Sequence, residues 1–260
     1  MPLVPDDFDV FPNSHKIALR KMTSHSNLSP VRGRNAGFTL VELLVSIVIV
    51  AVLATLVAVA AHSIRERSKE VGSLNNMRQI GTALQLYAGE HGHYPETSHT
   101  VDLDHAWIKA LETHLDDYDE VRICPADPRG AERLAAGGTS YVLNSFLFVP
   151  EIGPWGEVIG RPLNRPAAIP HLSRTIMAFT CADSVGPGPG NDHTHSNLWS
   201  SWQAVCADIS PSRFGGNGDP HDASGRTNYL FADGHVESIS AGEIKRKTEK
   251  GINIAQPPGL

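Results

Sequence analysis

At 260 residues with a formal net charge of −6, the chain has room for one sizeable domain, or for a smaller domain plus an anchor. A nucleic-acid binder carries a basic face or stripe; this mildly acidic chain of ordinary composition argues against a nucleic-acid partner. Its apolar residues are very unevenly distributed, and the densest run lies near the N-terminus.

Residues 1–37 read as a basic leader. Lys16, Arg20, Lys21, Arg32 and Arg34 lie in it, and no acidic residue stands between Lys16 and Phe38. Phe38–Ala61 follows as FTLVELLVSIVIVAVLATLVAVAA, with Glu42 its only charge. About 20 apolar residues span a bilayer core, so 38–61 is long enough to cross once. The basic flank keeps the N-terminus in the cytoplasm and sends the C-terminal part across. A secretory signal peptide has a shorter apolar core, roughly 7–15 residues, with small residues after it. Here the distinctive residues come before the run.

Those residues are Gly37-Phe38-Thr39-Leu40-Val41-Glu42. They resemble the processing site of type IV prepilins and type II secretion pseudopilins. The resemblance implies that prepilin peptidase cuts after Gly37 and methylates the new amine of Phe38. It also implies that Glu42 meets the N-terminal amine of a neighbouring subunit during assembly. A carboxylate in the membrane is unfavourable, by about 2.5–3.5 kcal/mol at the bilayer centre and less near the interface, and such a partner offsets that. The plainer reading of Glu42 is a carboxylate favoured at a helix N-terminus by the macrodipole. The leader is long for this family, and a start at Met22 gives the usual short basic form.

The helix is expected to continue past the membrane. Ile64, Val71, Leu74, Met77, Ile80, Leu84 and Tyr87 recur at steps of about three and four, an amphipathic stripe over 62–92. Gly89–Gly92 ends it, and Pro95 cannot continue it. A second helix is predicted from Leu103 to Leu115. Strands are predicted at Ser140–Phe148, Thr175–Thr180, Thr227–Phe231 and His235–Ile239, the last two joined at Asp233-Gly234, a hairpin signal that fits a type I′ turn. Val185–Asn197 reads as an exposed loop, and 243–260 as a polar, frayed tail. A long spine helix followed by an antiparallel head at 93–242 is an α+β arrangement, which is pilin-like.

Further stretches resemble a group of prepilin-like exported proteins with a C-terminal His, nine residues and Asp-Gly. They are Leu74–Gly81 with Tyr94-Pro95, Cys124-Pro125-Ala126-Asp127-Pro128, Ser140-Tyr141 with Asn144, and Asn228–Val236. Two departures stand out. His221 is followed by eleven residues before Asp233 and Gly234. Ser73 stands where that group often has a cysteine, leaving Cys124 to pair with Cys181 or Cys206, or to stay free.

Histidines and aspartates crowd the C-terminal half: Asp192, His193, His195, Asp208, Asp219, His221, Asp222, Asp233 and His235. His-x-His suits zinc or copper, and the loop carboxylates suit calcium. Turn geometry at Asp233-Gly234 and local hydrogen bonding at His221 are the simpler account, so no metal or cofactor is expected. No nucleophile elbow or phosphate loop is present, and no enzyme is expected. The expected role is a pseudopilin-like subunit of a type II secretion or type IV pilus-like system, single-pass in the inner membrane with a periplasmic head. Its partners are then prepilin peptidase and other pilin-like subunits. The competing role is a membrane-tethered extracytoplasmic binding domain that uses the same anchor.

Overall fold

The structure, a computed structural model, describes residues 37–97, 106–152, 155, 158–160 and 163–260. The basic leader, Met22 and the expected helix start at Leu103 lie outside the described residues. Helix α1 is a single run, Leu40–His91, of 52 residues. Gly92 ends it with a positive φ of 77° while its N–H donates to the Ala88 carbonyl, 2.8 Å away. A left-handed glycine closing the last turn is the expected C-terminal cap.

The apolar run at the start of α1 is open. Its large side chains range from 51% exposed at Leu44 to 76% at Leu40, and the helix is long and apolar enough to cross a membrane. Further along, one face turns inward. Met77, Ile80, Ala83, Leu84 and Ala88 are buried, at the three- and four-residue steps of a helix stripe. Ile64 and Val71 do not join it, at 65% and 55% exposed. Contacts of the head with α1 begin at Glu70, which Asn228, Arg226 and Ser238 all bond, and the buried face of the helix begins at Ser73.

The head follows as α2 (Trp107–Ala110), a 3-10 turn at Glu112–His114, α3 (Tyr118–Val121), α4 (Gly130–Ala135), β1 (Tyr141–Leu143), α5 (Ser145–Phe148), β2 (Glu151–Ile152) and β3 (Val158–Gly160). Then come β4 (Ile176–Thr180), α6 (Trp202–Asp208), β5 (Arg226–Phe231), β6 (Val236–Ser240) and α7 (Ala241–Glu249). Strands β1-β4-β5-β6 form one antiparallel sheet in that order. This is the α+β, pilin-like arrangement expected: a long helix on an antiparallel sheet.

The sheet is covered on both faces. Tyr141, Leu143, Met177 and Leu230 pack with Met77, Ile80 and Leu84 of α1. Val142, Phe179, Tyr229 and Ile239 pack on the other side with Trp202 and Val205 of α6 and Ile244 of α7. A strand buried on both faces loses the polar-out alternation of a half-exposed one, and β4 is buried at all five positions.

Several predicted elements change. The strand expected over Ser140–Phe148 stops at Leu143, because the Asn144 side chain accepts from the Phe146 N–H and caps a helical turn. The same Asn144 amide donates to the carbonyls of Ile176 and Ala255, at 2.7 Å each. The second helix is one turn of α and one of 3-10, held by burial of Trp107, Ile108 and Leu111 with no side-chain cap at its start. The loop expected to be exposed over Val185–Asn197 is buried at Asp192, His193, Thr194 and Ser196. Its backbone pairs with β1 through Leu143, which donates to Asp192 and accepts from Thr194. Beyond Gly242 the chain is ordered too. Ser240 accepts from the Glu243 N–H and starts α7, and Ile244, Thr248 and Ala255 are buried.

Two polar contacts hold the head. Arg133, fully buried, places Nε 2.8 Å from Asp127 Oδ2. Its remaining N–H groups donate to the carbonyls of Gly186, Ala182 and Val185. Asp127 also accepts from the Ser140 hydroxyl and the Arg129 N–H. The second contact joins α1 to the head: Ser73 Oγ lies 3.2 Å from Tyr141 Oη, next to the Cys124 thiol. Asn76 adds bonds to the carbonyls of Glu120 and Ile123.

Two outcomes follow from these contacts. Removing one member of a buried pair strands the other charge, at a cost of about 3–5 kcal/mol. Arg133→Leu should therefore lower the melting temperature of the head markedly in thermal denaturation, and a loss under about 1 kcal/mol would contradict the network. Ser73→Cys should form a disulfide with Cys124, closing a loop worth about 4 kcal/mol of chain entropy. Non-reducing peptide mapping should find the 73–124 crosslink; a Cys124 that remains alkylatable after unfolding would count against the contact.

Candidate processing and assembly site

Gly37, Phe38 and Thr39 precede the first helical residue. Gly37 is exposed, Phe38 is 76% exposed, and a side chain added at Gly37 would meet open space. The Gly37–Phe38 bond therefore lies in accessible, non-helical chain, as a peptidase substrate must.

Immediately after it, Thr39 and Glu42 form a reciprocal cap. The Glu42 N–H donates to Thr39 Oγ1 at 3.2 Å, while Glu42 Oε2 accepts from the Thr39 N–H and hydroxyl, both at 2.9 Å. This is a capping box, in which a threonine and a glutamate three residues on satisfy each other's backbone donors. The first intrahelical bond runs from the Leu43 N–H to the Thr39 carbonyl, 3.1 Å. The Thr-x-x-Glu spacing was available in the sequence, and it is the signal that reading Glu42 by charge alone passes over.

The C-terminal signature residues do not assemble into one site. Asp233 and Gly234 occupy the β5–β6 turn. Only Gly234 has positive φ, at 90°, and its N–H donates to the Phe231 carbonyl. The turn is thus not type I′; a single left-handed glycine after the turn fits a hairpin with a bulge. The Asp233 carboxylate is 2.5 Å from His235 Nδ1, and the His235 ring stacks on Phe231 with 4.3 Å between centroids. Burial opposes ionisation of Asp233, but the bonds and charge of His235 outweigh it and hold the carboxyl below its usual range. Its contribution to stability is present above the unfolded carboxylate range, near pH 4, and is lost as pH falls through the lowered folded value.

His221 lies elsewhere, in an exposed loop. Its carbonyl accepts from Trp202 Nε1 and its N–H donates to Asp219. Among the described residues no hydrogen bond or ion pair joins it to Asp233. His221 does line a cleft of about 460 Å³ with Asp183, Gln203, Cys206, Arg213 and Asp219. His193 and His195 stand with rings 5.6 Å apart, their Nδ1 atoms toward Asp192 at 2.8 Å and Asp208 at 3.3 Å. Thr97 also donates to Asp192. Among the described residues no group of three or more His, Cys, Asp or Glu is arranged to hold a metal.

Cys124, Cys181 and Cys206 are all buried and free, so none of the pairings considered for Cys124 occurs. Burial pushes all three thiols up, Cys181 and Cys206 to about 12. Since the thiolate is the reactive form, these are packing residues, and Cys124 serves as one wall of the Ser73–Tyr141 contact.

Comparison with known proteins agrees with the N-terminal geometry. Residues 32–58 match the family described as the prokaryotic N-terminal methylation motif. Type II secretion system core protein G of Escherichia coli (strain K12) is 28% identical over 127 residues, covering 48% of this chain and 86% of that protein. Its counterpart of the same name in Klebsiella pneumoniae is 32% identical over 124 residues, covering 45% and 86%. No solved structure matches. An apolar helix begun by a capping box, the methylation motif across it, and similarity over most of the length of these relatives place the chain in the type II secretion system core protein G family, as a pseudopilin subunit of a secretion system.

Proposed function

We propose that the chain is a structural subunit, rather than an enzyme, which is matured by cutting between Gly37 and Phe38. Residues 38–61 then anchor it in the inner membrane, with the leader cytoplasmic and the head extracytoplasmic. Prepilin peptidase is the processing partner, and other pilin-like subunits are the assembly partners through α1. The observation that carries this reading is the accessible Gly37–Phe38 bond standing directly before a capped helix whose apolar first half is exposed.

Glu42 has two tasks in this reading. In the single chain it satisfies the Thr39 N–H; in the assembly it meets the Phe38 amine of a neighbour. A carboxylate at a helix N-terminus is already favoured by the macrodipole, so it adds little to the cost of inserting the span while remaining able to recognise a cation. In a host with the secretion machinery, Gly37→Val should leave a full-length, unassembled precursor by mass spectrometry, whereas a normally cut product would sink the cleavage assignment. Glu42→Ala should still be cut and retained in membranes. Its recovery in sheared or crosslinked assemblies should fall about tenfold or more, the factor that about 1.4 kcal/mol of lost subunit affinity implies. Unchanged assembly would instead favour a simple membrane tether.

A further inference from the structure

The head contains a cleft of about 460 Å³, within the range of about 300–1,000 Å³ usual for small-molecule sites. Gln203, Cys206 and Ala207 line it from α6, where steps of three and four put them on one face. The loop at 216–221 lines it too, and that loop is held in place. Trp202 Nε1 donates to the His221 carbonyl at 2.8 Å, and the Ser212 hydroxyl donates to the Asp222 carbonyl at 2.7 Å. The Asp222 carboxylate in turn accepts from the Asn217 N–H and the Ser224 hydroxyl. Walls fixed in this way are ordered before a ligand arrives, which removes part of the cost of binding.

Arg213 is the unusual member of the lining. Its side chain is only 5% exposed, yet a single one of its nitrogens is bonded. Nη2 donates to the Cys181 carbonyl at 2.8 Å and to Asp183 Oδ1 at 2.7 Å. Nε is buried without a hydrogen-bond partner, and Nη1, which keeps solvent access, has none among the described residues either. An ion pair tying the exit of β4 to the segment after α6 is the plainer account of Arg213, and it explains Nη2. It leaves the other guanidinium N–H groups unanswered in a nearly dry setting, where an unmade hydrogen bond is costly. A ligand oxygen in the cleft answers them.

The neighbouring side chains decide what kind of oxygen fits. Asp183 uses one carboxylate oxygen on Arg213, and Asp219 uses one on the His221 N–H. The second oxygen of each has no partner among the described residues. An anionic ligand would meet these two carboxylates, a like-charge encounter that costs affinity, and a cationic ligand would meet Arg213. A hydroxyl group both donates and accepts, so adjacent hydroxyls can accept from Arg213 and donate to Asp183 or Asp219. Ala182, Cys206 and Ile209 are buried and supply an apolar floor for the C–H face of a sugar ring. We propose that the cleft binds an uncharged saccharide, a short stretch of neutral glycan whose hydroxyls are read by Arg213, Asp183 and Asp219. This adds a binding activity to the structural role and does not depend on the cut at Gly37.

The test uses the full chain in micelles of a detergent without sugar headgroups. Calorimetric titration compares cellotetraose, chitotetraose and maltotetraose with tetragalacturonate as the anionic control. At least one neutral sugar should bind saturably, one per chain, and tetragalacturonate about tenfold more weakly or not at all. Asp219→Asn keeps an acceptor for the His221 N–H but removes the charge, so it should weaken the neutral sugar about tenfold. Gln203→Trp, at an exposed position of α6, fills the cleft and should abolish binding. Thermal denaturation separates a lost site from a lost fold, and Asp219→Asn, which changes charge and not volume, decides alone where Gln203→Trp melts early. Failure of all three neutral sugars to bind, binding that survives Gln203→Trp in a normally melting chain, or affinity unmoved by Asp219→Asn overturns the proposal. Preference for tetragalacturonate overturns it too, and would assign the cleft to anions held by Arg213.

Discussion

One helix has to satisfy two different solvents, and the rest of the molecule depends on how it does so. In lipid every backbone group must be bonded within the segment, which α1 achieves by being a single uninterrupted helix with its first donors closed by Thr39 and Glu42. Apolar side chains can then face outward all round. From Ser73 onward the surroundings are protein on one side and water on the other, so the same helix must become one-sided. It does this with small and polar residues as well as apolar ones: Ser73, Asn76 and Gly81 lie against the head beside Met77, Ile80 and Leu84. Polar groups buried there must find partners, and Ser73 and Asn76 find them in Tyr141 and in the carbonyls before Cys124.

The head shows the same rule on a larger scale. Its irregular segments are held by buried polar side chains that collect backbone carbonyls. Arg133 gathers Ala182, Val185 and Gly186, and the half-buried Arg129 adds bonds to Asp183 and Val185. Asn144 joins the start of β4 to Ala255 near the C-terminus. Loops with buried backbone need such partners, and these three side chains supply them where no strand is available. The Cys-Pro-Ala-Asp element thereby acquires a plain physical meaning: Cys124 closes the contact with α1, and three residues later Asp127 receives the arginine that fixes the 182–186 loop.

The helix, its glycine stop and three of the four strands were legible because they rest on local signals: period, capping and β-rich runs bounded by turns. The failures have a common cause. Asn144 was read as part of a strand because its capping role depends on the chain turning after Leu143. The loop at 185–197 and the segment after Gly242 are polar in composition, and composition cannot reveal that Arg133, β1 or Asn144 will satisfy their backbones. Nor does periodicity reveal where along a helix its partner begins, which is why Ile64 and Val71 were grouped with a buried stripe they do not join. At the N-terminal site the residues themselves were legible in full, while the Thr39–Glu42 cap needed one further step, from charge to hydrogen-bond geometry.

That cap bears on how a covalent cut can alter assembly. Hydrogen bonds from Thr39 stabilise the Glu42 carboxylate without cancelling its charge, and the partial positive charge of the helix start does so only in part. While the leader is attached, the nitrogen of Phe38 is a neutral amide. The proposed cut turns it into an amine that is protonated near neutral pH, and methylation keeps that charge, so a full cation is created one residue before the cap. Each subunit then carries a matched cation and anion at one end of its apolar helix. Two such ends in a low-dielectric surround attract more strongly than they would in water, whereas an uncut chain presents only the anion. The proposed cleavage would in this way act as an electrostatic switch, changing the same helix from one whose ends repel to one whose ends complement each other.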